Sequence, residues 1–245
     1  MGQFYESISD DIREWALRQS VFFVASAPLR GRHINVSPKG LPDTSFAILG
    51  PNEAAYVDAT GSGGETICHL RENGRITVMF CSFDKSPRIL RLFCTGSVIE
   101  WTDPMFPQYL ERMGGKNIPG ARAVINLCVF KVQTSCGFGV PLLALTHDPE
   151  TNEPKPYLKD RETLGYWAGK KANAGQMRAY QKEWNVRSLD GLPGLHSALR
   201  DNNKSVWRAR LGGWMNRHRD ELEMAKTSIL LLFVGMAILQ WIGYI

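Results

Sequence analysis

Apolar and polar residues alternate with two different periods along this chain. Residues 7–20 bring Ile8, Ile12, Trp15 and Leu17 toward one face, and Ser9 with Asp10 and Asp11 suits a helix start. V-F-F-V-A-S-A-P, from Val21, is short, apolar and rich in β-formers, so it reads as a strand. H-I-N-V-S-P-K then alternates with period two, which predicts Ile34 and Val36 inward and Asn35 and Ser37 outward, before Gly40 and Pro42 break the pattern. A-A-Y-V-D-A is a further strand that enters the turn T-G-S-G-G. Residues 65–73 return to helical spacing through Ile67 and Leu70, and Gly74 ends that helix. R-I-T-V-M-F-C-S-F, residues 88–101 and residues 123–135 are strands, with a short helix at 104–113 opened by Pro104. Many strands with short helices between them predict an α+β chain, a β-barrel with peripheral helices.

Beyond residue 147 the pattern changes. H-D-P-E-T-N-E-P-K-P is a polar, proline-containing loop, residues 160–184 are helical and basic, and Asn202 to Ser205 is a second polar break. Three regions are expected: a barrel domain at 1–147, a basic helical extension at 148–225, and a terminal segment at 226–245. From Thr227 to Ile245 no residue is charged, and the run from Ile229 reads I-L-L-L-F-V-G-M-A-I-L-Q-W-I-G-Y-I. With Ala225 to Ser228 added it approaches the roughly 20 residues that span a hydrocarbon core of about 30 Å. Trp241 and Tyr244 lie near its far end, where aromatic rings favour the interface. Upstream stand Arg208, Arg210, Arg217, Arg219 and Lys226. One C-terminal transmembrane helix is expected, a single-pass anchor with the main domain facing the cytosol. A buried terminal helix in a soluble dimer is the alternative.

Charge narrows the function classes. The net charge of +5 over 245 residues is mild, without the dense basic stripe of a nucleic-acid binder, so no nucleic-acid partner is expected. It suits an anionic cofactor or membrane surface. The five cysteines are odd in number and none sit at C-x-x-C spacing, which points to a reducing compartment and away from zinc. No signal peptide is expected from M-G-Q-F-Y-E-S. His33, His69, His147, His196 and His218 are scattered and no metal site is expected. Trp15 and Trp101 read as core. Trp167, Trp184, Trp207 and Trp214 punctuate the C-terminal helices.

The candidate chemistry lies in V-D-A-T-G-S-G-G-E-T, residues 57–66. Glycines let this strand-to-helix turn bend tightly and approach a ligand. The helix starting near Glu65 or Thr66 aims free N–H groups back at the turn, which is anion-binding geometry. Thr60, Ser62 and Thr66 add hydroxyls. Taken alone such a glycine-rich segment is more often just a turn, and it matches neither the P-loop nor the dinucleotide fingerprint. N-V-S-P-K-G ends a strand on Lys39, which could meet a phosphate or sit at the surface of a hairpin. Arg88 and Arg91, three apart on one strand, face opposite sides, so only one can serve a given site.

In order along the chain, F-V-A-S-A-P, H-I-N-V-S-P-K-G, Y-V-D-A-T-G-S, R-E-N-G-R-I-T-V-M-F and P-R-I-L-R-L-F-C-T-G resemble the FMN-binding split barrel of the pyridoxamine 5′-phosphate oxidase-like family. S-C-G-F-G-V-P and S-L-D-G-L-P-G-L resemble later signatures of one subgroup. The resemblance implies a homodimer with FMN at its interface, held by Ser37, Lys39, Asp58, Thr60, Gly61, Ser62, Gly63, Gly64, Thr66, Arg88 and Arg91. The oxidases follow the Gly-Ser turn with Arg-Lys, whereas Gly63, Gly64 and Glu65 follow it here. Each lost charge-assisted contact is worth roughly 1.5–3 kcal/mol, a loss that the helix start and Arg88 or Arg91 would partly offset. The family's R-L-A-P-type substrate segment is absent, so a small molecule other than pyridoxamine phosphate is expected. The implied function is an FMN-dependent oxidoreductase of unknown substrate, in which no catalytic side chain is assigned. The alternative is a non-catalytic, membrane-attached module for flavin or haem, with one of the histidines as a haem ligand.

Overall fold

Where β-branched and aromatic residues cluster in the first half of the chain, as in V-F-F-V and R-I-T-V-M-F, they build strands. The computed structural model describes residues 2–40, 42–159, 161–241 and 243. In chain order the elements are β1 (Gln3–Tyr5), α1 (Asp10–Leu17), β2 (Val21–Ser26), β3 (Asn35–Gly40), the single turn α2 (Pro42–Ser45), β4 (Phe46–Gly50), β5 (Glu53–Ala59), α3 (Glu65–Asn73), β6 (Arg75–Cys81), β7 (Arg88–Glu100), α4 (Phe106–Arg112) and β8 (Ala121–Cys136). A hairpin of β9 (Leu142–His147) and β10 (Pro154–Lys159) follows, then the helices α5 (Thr163–Asn173), α6 (Met177–Trp184), α7 (His196–Asp201), α8 (Val206–Arg217) and α9 (Arg219–Trp241). The chain divides into two compact units, residues 1–164 and 165–245.

The sheet of the first unit is antiparallel, in the order β3-β2-β6-β7-β8-β5-β4, with β1 beside β8. No ladder joins β3 to β4 among the described residues, so the expected barrel is not closed. The sheet nevertheless curls until its two ends share one core. Phe22 of β2, Phe46 of β4, Tyr56 of β5 and Phe80 of β6 meet with ring centroids 5.1–5.7 Å apart, all fully buried. Ile12 and Ala16 of α1 join the same cluster, with Ile8 just before the helix. On the opposite face α4 packs Phe106, Tyr109 and Leu110, and Met113 beyond its end, against Ala47, Ala55, Val57 and Val124. Burying a large apolar side chain is worth roughly 1.5–3 kcal/mol, which makes these two clusters the main source of the unit's stability.

Several expectations need correction. The inward and outward faces of β3 are reversed. Ile34 and Val36 are 70% and 60% exposed, while Asn35, Ser37 and Lys39 are partly covered. β3 is an edge strand, and Val36 and Pro38 on its apolar face are exposed among the described residues. Trp101, expected in the core, is 64% exposed in the turn after β7. The polar stretch from His147 holds the turn of the β9–β10 hairpin, where Asp148 accepts from the amides of Glu150 and Thr151 (2.9 and 3.2 Å). Those amides lower the Asp148 pKa.

Two glycines are fixed by geometry. Gly74 ends α3 at φ 70°, and its N–H returns to the Leu70 carbonyl at 3.0 Å. A β-carbon at Gly137, in S-C-G-F-G-V-P, would lie 2.7 Å from the Arg88 backbone nitrogen.

In the second unit, Trp167 and Tyr180 pack edge to face at 5.0 Å, and Arg178 pairs with Asp201 at 2.6 Å to tie α6 to α7. The loop carrying S-L-D-G-L-P-G folds back on itself through Gly194 N–H to Val186 O at 3.0 Å. Helix α9 begins with R-D-E-L-E-M-A-K and becomes apolar only at Ile229. From Ile229 to Trp241 it rises about 20 Å, short of a hydrocarbon core of about 30 Å. Among the described residues no helix is long and apolar enough to cross a membrane, so the expected transmembrane anchor is not supported. Ile242, Tyr244 and Ile245, the end of the expected span, lie outside the described residues.

Candidate functional site

The end of β5, the turn after it and the first turn of α3 enclose a cavity of about 280 Å³, walled on its other sides by β3 and the start of β8. Its floor is Asp58, only 2% exposed. Lys39 Nζ donates to Asp58 Oδ1 at 3.0 Å and Arg122 Nε to Oδ2 at 2.7 Å. A buried carboxylate is stable when its oxygens are paired, and here each oxygen holds one cation. Both cations are about one-quarter exposed, so each presents part of its charge to the cavity.

Local structure explains how Arg122 arrives. Asp58 pairs with Ala123 and Ala59 with Ala121, a register shift that leaves Arg122 as the extra residue. Such a bulge re-aims a side chain without ending the ladder. β3 is tied to the helix start by Asn35 Nδ2 donating to Thr66 Oγ1 at 3.0 Å. No side chain among the described residues accepts from the free amides of the first turn of α3, and Gly64 supplies no side-chain cap. These amides and the Ser37, Ser62 and Thr66 hydroxyls give the cavity hydrogen-bonding groups on several walls.

Glu65 also lines the cavity. Its carboxylate turns back over Gly63 so closely that a β-carbon there would collide with Oε2. Beneath the site Tyr56 is fully buried and its hydroxyl has no hydrogen-bond partner among the described residues. Burial, then the Asp58 charge, pushes its phenol well above the ordinary value of 10.0.

Of the residues expected from sequence, Ser37, Lys39, Asp58, Gly61, Ser62, Gly63 and Thr66 come together on this cavity. Gly64 stands at the N-cap of α3, and Thr60 gives its amide to the Gly120 carbonyl at 2.7 Å; neither is on the wall. Arg88 and Arg91 are also elsewhere. Arg88 lies over the Trp15 ring at 5.1 Å and lines a separate cavity with Gln19, Ser82 and Asp84. Arg91 donates to Ser135 Oγ at 3.3 Å. On one side β2 and β6 stand between β7 and the site strand β3, and on the other β7 meets the site end of β8 through Glu100, which pairs with Ala123, whereas Arg91 pairs with Gln133 and Arg88 with Cys136 toward the far end of β8. Sequence reasoning missed Arg122, Asn35 and Glu65. The lone arginine opening the apolar run A-R-A-V-I-N was the available signal for Arg122.

Among the described residues no group of three or more metal-ligating side chains occurs. His69 is buried, with Nδ1 2.9 Å from Ser26 Oγ and its ring 5.5 Å from that of His33.

A family model described as pyridoxamine 5′-phosphate oxidase matches residues 8–136. The chain is 63% identical over 245 residues to the pyridoxamine 5′-phosphate oxidase family protein ustO of Aspergillus flavus, covering all of this chain and 98% of that one. Among solved structures, HupZ of Group A Streptococcus matches at 18% identity and TM-score 0.41, covering 51% of this chain and 91% of its own. The FAD binding protein of Mycobacterium smegmatis matches at 7% identity and TM-score 0.37, covering 54% and 97%. Likenesses this distant carry no argument. The family match and the 63% identical relative show that the chain belongs to the pyridoxamine 5′-phosphate oxidase family.

Proposed function

We propose that this chain is a flavin-dependent oxidoreductase whose cofactor lies in the cavity at the start of α3. The observation that carries the reading is the convergence of Lys39, Arg122, the Ser62 and Thr66 hydroxyls and the free first-turn amides on one cavity. These groups fit the oxygen-rich part of a flavin: hydroxyls and amides suit its polyol, and the two cations suit acceptor atoms of its ring. The bound flavin would supply hydride or electron transfer, and the protein would supply position and electrostatics. Asp58 keeps Lys39 and Arg122 in fixed places, so their donors need little reorganisation on binding. FMN is the form the family resemblance implies.

At about 280 Å³ the cavity lies near the lower limit of small-molecule pockets, roughly 300–1,000 Å³. We therefore propose that a second copy of the chain completes it. β3 supports this, since Asn35, Ser37 and Lys39 serve the cavity while Val36 and Pro38 on its other face stay exposed. The test is the purified full chain. Visible flavin absorption on isolation, or binding of added flavin that is lost in Lys39→Ala with Arg122→Ala, supports the reading. A colourless protein that rejects added flavin removes it.

A further inference from the structure

Four charged side chains meet at the start of α3, and one of them has no partner. Lys39 and Arg122 share Asp58. Glu65 makes no hydrogen bond or ion pair among the described residues, yet its carboxylate rests against Gly63 inside the cavity. Two cations and two carboxylates leave the site with no net charge. A phosphate brought to the first-turn amides would therefore lie beside the Glu65 carboxylate, and the cations able to offset it are already engaged by Asp58. Like charges this close repel, and because Glu65 is exposed, water screens part of that repulsion. A neutral polyol avoids this. Its hydroxyls can donate to Glu65 and accept from the amides and from Ser62 and Thr66.

We propose that Glu65 is the specificity-determining residue of this site, disfavouring phosphate-bearing flavins and admitting an unphosphorylated flavin whose polyol donates to its carboxylate. The inference rests on the flavin reading above. It assigns Glu65 a role beyond the helix start, where an acidic residue also favours the macrodipole.

The experiment titrates FMN and riboflavin separately into the full chain and into Glu65→Gln, following flavin fluorescence, with circular dichroism to confirm equal folding. Glu65 is exposed, so the amide isostere disturbs no packing. The wild-type chain is expected to bind riboflavin at least as tightly as FMN. Glu65→Gln is expected to tighten FMN about tenfold, a change of about 1.4 kcal/mol, and to weaken or leave unchanged riboflavin. A wild-type preference for FMN of about tenfold or more, or a Glu65→Gln effect equal for both flavins, overturns the inference and leaves the flavin reading standing. Failure of both flavins to bind either protein removes the flavin reading and this inference with it.

Discussion

Replacing Asp58 by asparagine keeps the shape of the cavity floor and removes the charge that holds its two cations. Breaking a buried pair by removing one partner costs about 3–5 kcal/mol when the stranded charge stays buried. Here the stranded groups are Lys39 and Arg122, each about one-quarter exposed, so water recovers part of that penalty. The amide oxygen can still accept from one of them. A loss of about 2 kcal/mol is therefore expected. For a folding unit of this size each kcal/mol corresponds to about 2–4 °C, so thermal unfolding should fall by roughly 4–8 °C. The same change moves the site from zero net charge to +1, so affinity for anionic ligands should rise while stability falls. Scanning calorimetry and FMN titration on one preparation read the two effects. An unchanged melting temperature, or affinity and stability that drop together, would refute the assignment of Asp58 as the charge that organises the site.

Three further perturbations test separate parts of the structure. Tyr56→Phe removes a buried hydroxyl that has no partner, so stability should be unchanged or rise by up to about 1 kcal/mol. Because burial raises the folded-state pKa of this phenol, its neutral form is favoured in the fold. The stability it contributes is complete below the unfolded value of 10.0 and is lost as pH rises toward the folded value. Denaturant midpoints measured above pH 10.0 should accordingly fall less in Tyr56→Phe than in wild type. Thiol labelling of the native chain should reach the exposed Cys68, Cys128 and Cys136 and spare Cys81 and Cys94, whose pKa values burial raises; rapid labelling of Cys94 would contradict its place in the core. Gly137→Ala pushes a methyl group against the Arg88 backbone nitrogen and should destabilise by about 1–3 kcal/mol, seen as a lowered urea midpoint with an unchanged slope.

What the sequence shows and hides here follows from the range of the forces involved. Periodicity located α1, β2, β5, α3, β6, β7 and β8 because each is set by near neighbours, and Gly74 marked the end of α3 because a left-handed residue is a local requirement. β4 escaped because F-A-I-L-G is too short to show a period, and it is held by pairing with β5. The inward face of β3 was misjudged for a related reason. Alternation says which residues share a face, while pairing partners decide which face is covered, and at this edge of the sheet the covered face is the polar one.

The candidate site divides along the same line. Asp58, Ser62 and Thr66 were legible because a glycine-rich turn between strand and helix is local chemistry, and Lys39 because it closes the alternating strand of N-V-S-P-K-G. Arg122 was not, since its approach depends on a one-residue register shift between β5 and β8, strands more than sixty residues apart in sequence. Arg88 and Arg91 looked equally suitable by charge, and strand order together with their place at the far end of the β7–β8 ladder excludes them from this cavity within one chain. The fold thus replaces the expected arginine of β7 by one from β8, and it binds that arginine to a carboxylate. A cation tied in this way is well positioned but partly neutralised, so it orients a ligand better than it attracts an anion. Glu65 adds to that bias. The geometry of the site therefore favours recognition through hydrogen bonds over recognition through charge.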